Sequence, residues 1–326
     1  MHDLIIVGAG PAGLGASIYA SRYKLEHVVI GNEIGGQITE AWEIENYAGF
    51  ESISGKELME KFSNQTKKLG AEIIPAVVVE VNKKDDSFDV VTSDGKSYIS
   101  KSIIFALGMK ARKANITGED DFIGKGVSYC ATCDAMFFRE KEVVVIGGGD
   151  SAATAALHLS EFASKVTLMY RGDQVKFEPA WKEKIEKNEK IEIILNSEVK
   201  EIKGEGKVSA ISYEQSGPAS TREDASPALT NRGESTRGGE KKELPVQGVF
   251  IEIGTVPGVE VAKKLGIETD DQDYIIVDST QKTNLDYVYA SGDVTTASNK
   301  FRQVITAVAE GAVAAGSVYK KIKLEK

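Results

Sequence analysis

The chain has 326 residues, 41% hydrophobic and 27% charged, which is length for two domains with their own cores and a composition that excludes wholesale disorder. Its 40 Lys and Arg against 49 Asp and Glu leave a formal charge of −9, so no basic surface is available for a nucleic-acid backbone. No apolar run reaches the ~18 residues of a spanning helix, and Met1-His2-Asp3 lacks the basic start of an export signal, so we expect no membrane association and a cytoplasmic location.

Asp3 to Ile6 reads as a short apolar strand, followed by Gly8-Ala9-Gly10-Pro11-Ala12-Gly13, an Ala-rich helix through Tyr23 and a second strand, His27 to Ile30. Ile73 to Asn82 and Ser87 to Thr92 alternate as strands around a turn at Lys83 to Asp86. Ser97 to Ile99 and the buried-type strand Ile103 to Leu107 come next. Together they read as a β-meander set in a doubly wound domain. The opening layout returns 139 residues later, from Gly8 to Gly147. It comprises strand Glu142 to Ile146, turn Gly147-Gly148-Gly149-Asp150-Ser151-Ala152, a helix to about Phe162, and strand Lys165 to Met169. Ile191 to Leu195, Glu198 to Lys203 and Val208 to Tyr213 repeat the meander, so the chain carries an internal duplication.

Residues 215–243, rich in Ser, Gly, Glu, Arg and Thr, are expected to form a flexible hairpin extension. Beyond them, Gly248 to Ile253 is an apolar strand, Tyr287 to Val294 a strand ending in a Gly-Asp turn, and Phe301 to Tyr319 a small-residue helix. The expected fold is α/β: two Rossmann-like three-layer domains with β-meanders, the second inserted in the first. Residues 1–114 and 247–326 would form one domain, completed by the C-terminal segment, and residues 115–246 the other. The crossings fall near Lys113 to Thr117 and Leu244 to Gln247, and two crossings permit a hinge.

Gly8-x-Gly10-x-x-Gly13 sits between strand and helix, where it allows a tight turn, bare backbone for a pyrophosphate and close helix packing, with the helix N-terminus aimed at the anion. The alternative is a merely structural Gly turn. Glu33 is the nearest acid to the usual ribose position after the second strand. The second loop, Gly147, Gly149, Asp150, Ser151 and Ala152, has Ala at the third glycine position, where only smallness is needed, and so predicts a second nucleotide. After the following strand, Arg171 offers a cation suited to a 2′-phosphate. Asp173 close by counts against this, and a solvated Arg is the other reading.

Cys130-Ala131-Thr132-Cys133-Asp134 holds the only two cysteines, a spacing that chance produces in roughly 0.6% of arrangements. A zinc site would need further ligands, and His2, His27 and His158 show no ligand spacing, so no metal is expected. A redox dithiol suits the spacing, because the two sulfurs can close a small ring and a thiol near a helix N-terminus ionises more readily. Asp134 is placed either to shuttle the proton that thiol and thiolate exchange or to cap a helix.

With two nucleotide loops and a dithiol just before the second, the sequence resembles the low-molecular-weight thioredoxin reductases over its whole length except residues 215–243. Further positions resemble that family's flavin site: Gly35-Gly36-Gln37, Glu45-Asn46, Ala106-Leu107-Gly108, Gly292-Asp293-Val294 and Arg302-Gln303. The resemblance implies FAD in the outer domain, near Gly8, Gly10, Pro11, Ala12, Gly13, Glu33, Gly36, Gln37, Asn46, Ala106, Gly108, Gly292, Asp293, Arg302 and Gln303. Asp293 at a strand end suits ribityl or ribose hydroxyls, or else caps a turn. Gln303 and the helix after it suit negative charge on a reduced flavin.

The small residues from Ala307 to Gly316 permit close approach of cofactor or simply of another helix. By the resemblance, Cys133 is the sulfur next to the flavin, Cys130 the one that attacks the partner's disulfide, and Asp134 the acid-base residue. The inserted domain would swivel to present dithiol and nicotinamide in turn.

One departure concerns the donor. NADPH-using members show His-Arg-Arg-x-x-x-Arg where this chain has Tyr170-Arg171-Gly172-Asp173-Gln174-Val175-Lys176, and Lys176 does not replace a bidentate Arg clamp. Relatives fed by ferredoxin or a deazaflavin also lack the cluster. The expected activity is thioredoxin-disulfide reduction from NADPH through FAD and Cys130–Cys133 to thioredoxin or a thioredoxin-like protein, in a homodimer by resemblance. The alternatives are a ferredoxin- or deazaflavin-dependent reductase, a flavin-dependent dithiol oxidase, and a non-enzymic nucleotide-binding sensor.

Overall fold

A computed structural model describes residues 1–216 and 240–325. The chain divides into two compact units, one made of Met1–Lys110 with Val256–Lys326 and the other of Ala111–Thr255.

The first unit is built on a parallel sheet in the spatial order Glu72–Ile74, His27–Ile30, His2–Val7, Ser97–Phe105, Val288–Ala290. Its inner strands are near-continuous apolar runs because both faces are covered. Leu4 and Ile6 turn to one face, packing with Ala12, Ala16 and Ala20 of helix Pro11–Arg22 and with Ala314, Ala315 and Val318 of helix Val304–Tyr319. Ile5 and Val7 turn to the other, against Val81, Phe88 and Val90 of the antiparallel strands Val78–Lys84 and Ser87–Thr92. The two helices approach closely because Gly311 presents bare backbone; a Cβ there would lie 2.1 Å from Ala12 O.

Three readings of this unit are corrected. Ser97–Phe105 is one strand rather than two, its early residues antiparallel to Ser87–Thr92 and its later ones parallel to Val288–Ala290. The run from Ile73 to Asn82 is two strands, because Pro75 has no N–H to give and breaks the ladder after Ile74. Only Val78–Lys84 joins the meander. A helix, Gly55–Lys68, occupies a stretch where no element was expected, started by Ser54, whose Oγ accepts from Glu57 N at 3.2 Å.

The second unit repeats the plan with a parallel sheet in the order Ile191–Ile194, Lys165–Met169, Glu142–Ile146, Gly248–Ile251, Val127–Ser128. Val143, Val145, Val166 and Leu168 pack against helix Asp150–Ser160, and Val144, Met169, Val249 and Ile251 against the antiparallel strands Ser197–Gly204 and Val208–Gln215.

Here Ile191–Ile194 is the outer parallel strand, not part of the meander, and the third meander strand is Glu240–Pro245, with Gln215 paired to Glu240. The flanks of the expected flexible extension are therefore strand, and its centre, residues 217–239, lies outside the described residues. Gly248–Ile251, expected in the first domain's sheet, pairs instead with Glu142–Ile146 and Val127–Ser128. It follows the second meander as the later half of Ser97–Phe105 follows the first two meander strands, so the duplication itself dictates its place. No helix among the described residues is long and apolar enough to cross a membrane.

Candidate active site

In the first unit the glycine loop lies at the carboxyl ends of the parallel strands, where nucleotides bind in doubly wound sheets. Gly8 has φ +118°, and a Cβ on it would lie 2.1 Å from Ala106 O; one on Gly13 would lie 1.9 Å from Gly8 O. These two positions are closed by the protein's own backbone. Gly10 is open, its nearest neighbour in the Cβ direction being Gly35 O at 3.8 Å, and Gly36 packs back onto Gly10 Cα. Gly35 N donates to Ala9 O at 2.8 Å, which joins the Gly35-Gly36-Gln37 turn to the loop. Glu33 and Gln37 are exposed within and beside that turn, and Gly36 N donates to Glu33 O at 3.1 Å. Gly108, with φ +62°, is open, and its carbonyl accepts from Gly258 N.

Gly292 and Asp293 reach the same place from strand Val288–Ala290. A Cβ on Gly292 would lie 2.8 Å from Ala12 Cβ, and Ser291 N donates to Phe105 O at 2.9 Å. The Asp293 carboxylate accepts no hydrogen bond within the described protein, so it does not cap its turn. Its pKa stands at about 6 against an ordinary 3.8, the net of burial, which raises it most, Arg302, which lowers it, and Glu310, which raises it.

Asn46 Nδ2 donates to Gln303 Oε1 at 3.1 Å, joining two predicted site residues from opposite ends of the chain, and Gln303 stands at the N-cap of helix Val304–Tyr319. Open backbone at Gly10, the first-turn amides of helix Pro11–Arg22 and the half-buried Asp293 carboxylate, which accepts no hydrogen bond within the described protein, form a cradle that fits FAD. Glu310 was not singled out from sequence. Its signal is that it is the sole acidic residue of helix Val304–Tyr319.

The second unit's loop repeats the first in detail. A Cβ on Gly147 would lie 2.2 Å from Glu252 O and 2.9 Å from Ala152 Cβ, which is why the third position must be small; Gly149 is open. Asp150 Oδ1 accepts from Glu178 N at 2.7 Å, Ser151 is exposed, and Lys176 N donates to Gly148 O at 2.7 Å. Arg171 and Lys176 are exposed. The Tyr170 ring lies between two glycines, 2.4 Å from where a Gly148 Cβ would be and 2.5 Å from a Gly172 Cβ. Gly172 stands where the basic cluster has its middle Arg, and the Tyr170 ring fills the space that a Cβ there would take.

The dithiol follows edge strand Val127–Ser128, the position that Gly292-Asp293 holds after the first unit's edge strand. Cys130 and Cys133 form a disulfide, S–S 2.11 Å. Cys130 is the N-cap of the short helix Ala131–Asp134, and Cys133 N donates to its Sγ at 3.1 Å. Cys130 is half-buried and Cys133 exposed. Asp134 closes the helix and makes no side-chain cap there, so the capping reading is set aside.

Tyr129 hydrogen-bonds the buried Glu119, whose two oxygens also accept from Ala114 N at 3.0 Å and Ile116 N at 2.9 Å. Neither residue was predicted, since a lone Tyr and a lone Glu ten positions apart carry no motif. Just past the dithiol, Met136 is 69% and Phe137 71% exposed. Among the described residues no group of three or more His, Cys, Asp or Glu could hold a metal ion.

Comparison with known proteins gives consistent relatives. The sequence profile described as pyridine nucleotide-disulphide oxidoreductase matches residues 2–311. A thioredoxin reductase of Listeria monocytogenes is 38% identical over 324 residues, covering 99% of this chain and 94% of that protein. Among solved structures, Lactococcus lactis thioredoxin reductase superposes with a TM-score of 0.87 at 37% identity, covering 98% of each chain. The T. acidophilum thioredoxin reductase superposes with a TM-score of 0.86 at 36% identity, again covering 98% of each chain.

Proposed function

The chain belongs to the pyridine nucleotide-disulphide oxidoreductase family, and on that premise we propose that it is a thioredoxin-disulfide reductase. Electrons would come from NADPH by way of FAD to the Cys130–Cys133 disulfide and pass to thioredoxin or a thioredoxin-like protein. The observation that carries this reading is the closed Cys130–Cys133 pair on a loop at the sheet's carboxyl edge, in a chain whose first glycine loop fits FAD. FAD, when bound, supplies the two-electron carrier between donor and disulfide.

The protein's own groups account for the remaining chemistry. Two electrons and two protons open the disulfide to two thiols. The Cys133 amide, already directed at Cys130 Sγ, stabilises negative charge there, so Cys130 is the sulfur more readily held as thiolate. That thiolate attacks the partner's disulfide and forms a mixed disulfide, releasing one partner thiolate that takes up a proton. Cys133 gives up its proton and attacks Cys130 Sγ, which restores the internal disulfide and frees the second partner sulfur as a thiolate to be protonated. Asp134, the residue next to Cys133 in the chain, is the group assigned to hold and return these protons. Met136 and Phe137 offer the partner protein an apolar surface beside the dithiol. A homodimer and a cytoplasmic setting belong to the same reading, and sedimentation of the flavin-loaded protein tests the first.

One observation favours a second reading of the donor. With the Tyr170 ring against Gly172, the 2′-phosphate of NADPH meets only the exposed Arg171 and Lys176, which supports ferredoxin or a deazaflavin as the source of electrons. Anaerobic titration of the flavin-loaded protein with NADPH, NADH and reduced ferredoxin in parallel decides between them. Loss of flavin absorbance with NADPH at stoichiometric amounts supports the first reading. Loss only with ferredoxin supports the second.

A further inference from the structure

We propose that Glu310 is a positioning residue for the flavin site: its carboxylate holds the Gly292-Asp293 turn in place, and its negative charge works against that of Asp293, so that flavin retention depends on pH. The proposal rests on the flavin reading above.

Glu310 is 6% exposed in a helix otherwise made of small and apolar residues. A buried carboxylate needs partners, because desolvation of an unpaired charge is expensive. Its partners are both in one turn: Gly292 N donates to Oε2 at 2.8 Å and the Thr295 hydroxyl lies at 3.4 Å. Thr295 also returns two hydrogen bonds to Gly292 O, from its amide and its hydroxyl, each 3.0 Å. On its other side the turn cannot yield, since Gly292 has φ +81° and faces Ala12 Cβ. The next residue of the helix, Gly311, lies against Ala12 O. Helix Val304–Tyr319, the Gly292-Asp293 turn and the end of the first glycine loop are thus tied together around Glu310.

The same carboxylate is one of the two charged groups that act on Asp293; the other is Arg302, at the approach to the same helix. Burial is the largest influence on Asp293, Arg302 favours its ionised form, and Glu310 opposes it. The ionised Asp293 accepts hydrogen bonds from flavin hydroxyls more strongly than the protonated one, so lowering the pH through about 6 weakens retention. Removing only the charge of Glu310 moves that transition to lower pH. Removing its acceptor as well frees the turn.

The test is the FAD dissociation constant of the full chain, from flavin fluorescence between pH 5 and 8, for the wild type, Glu310→Gln and Glu310→Ala. Circular dichroism at each pH shows that each variant is folded. The wild type should bind about tenfold more weakly at pH 5 than at pH 8. Glu310→Gln, which keeps an oxygen for Gly292 N, should match it at pH 8 within about twofold and bind at least about threefold more tightly than it at pH 5. Glu310→Ala should be weaker at every pH. Asp293→Asn, which cannot titrate, should lose the pH dependence altogether.

A Glu310→Gln profile that coincides with the wild type, or that is lowered uniformly like Glu310→Ala, overturns the proposal. So does a pH dependence that survives in Asp293→Asn. Failure of the wild type to bind FAD at any pH overturns the flavin reading itself, an outcome distinct from binding with a flat profile.

Discussion

The Tyr129 hydroxyl donates to the carboxylate of Glu119, a residue only 2% exposed, and Tyr129 immediately precedes the dithiol. Burial, and then the carboxylate beside it, push the Tyr129 phenol well above its ordinary pKa, so this donor keeps its proton throughout the working range. The pair ties the dithiol loop to the backbone amides of Ala114 and Ile116. Tyr129→Phe leaves Glu119 with one donor fewer in a buried setting, which should cost about 1–3 kcal/mol of stability by urea unfolding. It should also slow turnover with the protein substrate several-fold. Unchanged stability and turnover would show that the bond anchors nothing.

Asp293 gives a pH-dependent stability of defined sign. Its pKa in the folded protein, about 6, lies above the ordinary 3.8, so the folded state binds the proton more tightly than the unfolded chain. Apo-protein stability from this group is therefore greatest below pH 3.8, falls as pH rises towards 6, and stays low above it. The deficit at pH 7 amounts to about 3 kcal/mol. Apo Asp293→Asn should melt higher than apo wild type at pH 7 and nearly level with it at pH 4. An equal gap at both pH values contradicts the assignment.

The two cysteines should separate cleanly in trapping experiments. With Cys133→Ser, a thioredoxin-like disulfide should accumulate as a mixed disulfide on Cys130, visible by non-reducing electrophoresis and mass spectrometry, because the resolving sulfur is gone. Cys130→Ser should trap far less. Equal or reversed trapping would exchange the roles, which the greater exposure of Cys133 makes worth measuring.

Phe137, 71% exposed three residues after Asp134, should serve the partner rather than the core. Phe137→Asp should raise KM for the protein substrate about tenfold or more while changing kcat little and the melting temperature by no more than a surface substitution does. A fall in kcat with KM constant would place Phe137 in the chemistry instead.

Much of this architecture was legible because glycines and cysteines carry backbone and redox information locally. Gly8 and Gly147 each stand where a Cβ would strike a neighbouring carbonyl, and that requirement shows as a motif in each half. Part of what was misread depended on partners far along the chain. Gly248–Ile251 has an apolar pattern that by itself suits either sheet; its pairing with Glu142–Ile146 and Val127–Ser128, the place the duplication gives it, assigns it. Pro75 ends strand Glu72–Ile74, a break that the apolar residues on both sides of it mask in the pattern. Helix Gly55–Lys68 carries its start signal in Ser54 and Glu57, without an apolar run to mark the element itself. Glu310, Glu119 and Tyr170 act through contacts with residues 18, 10 and 22 positions away, Gly292, Tyr129 and Gly148, and no spacing rule encodes them.

The most direct measurement is a thiol count during anaerobic reduction of the flavin-loaded protein, with dithionite-reduced ferredoxin and NADPH as separate donors. At least one donor should expose both thiols of Cys130 and Cys133, and adding an oxidised thioredoxin-like protein should consume them. If the flavin is reduced while the Cys130–Cys133 disulfide stays closed, or if the purified chain takes up no flavin, the account is contradicted.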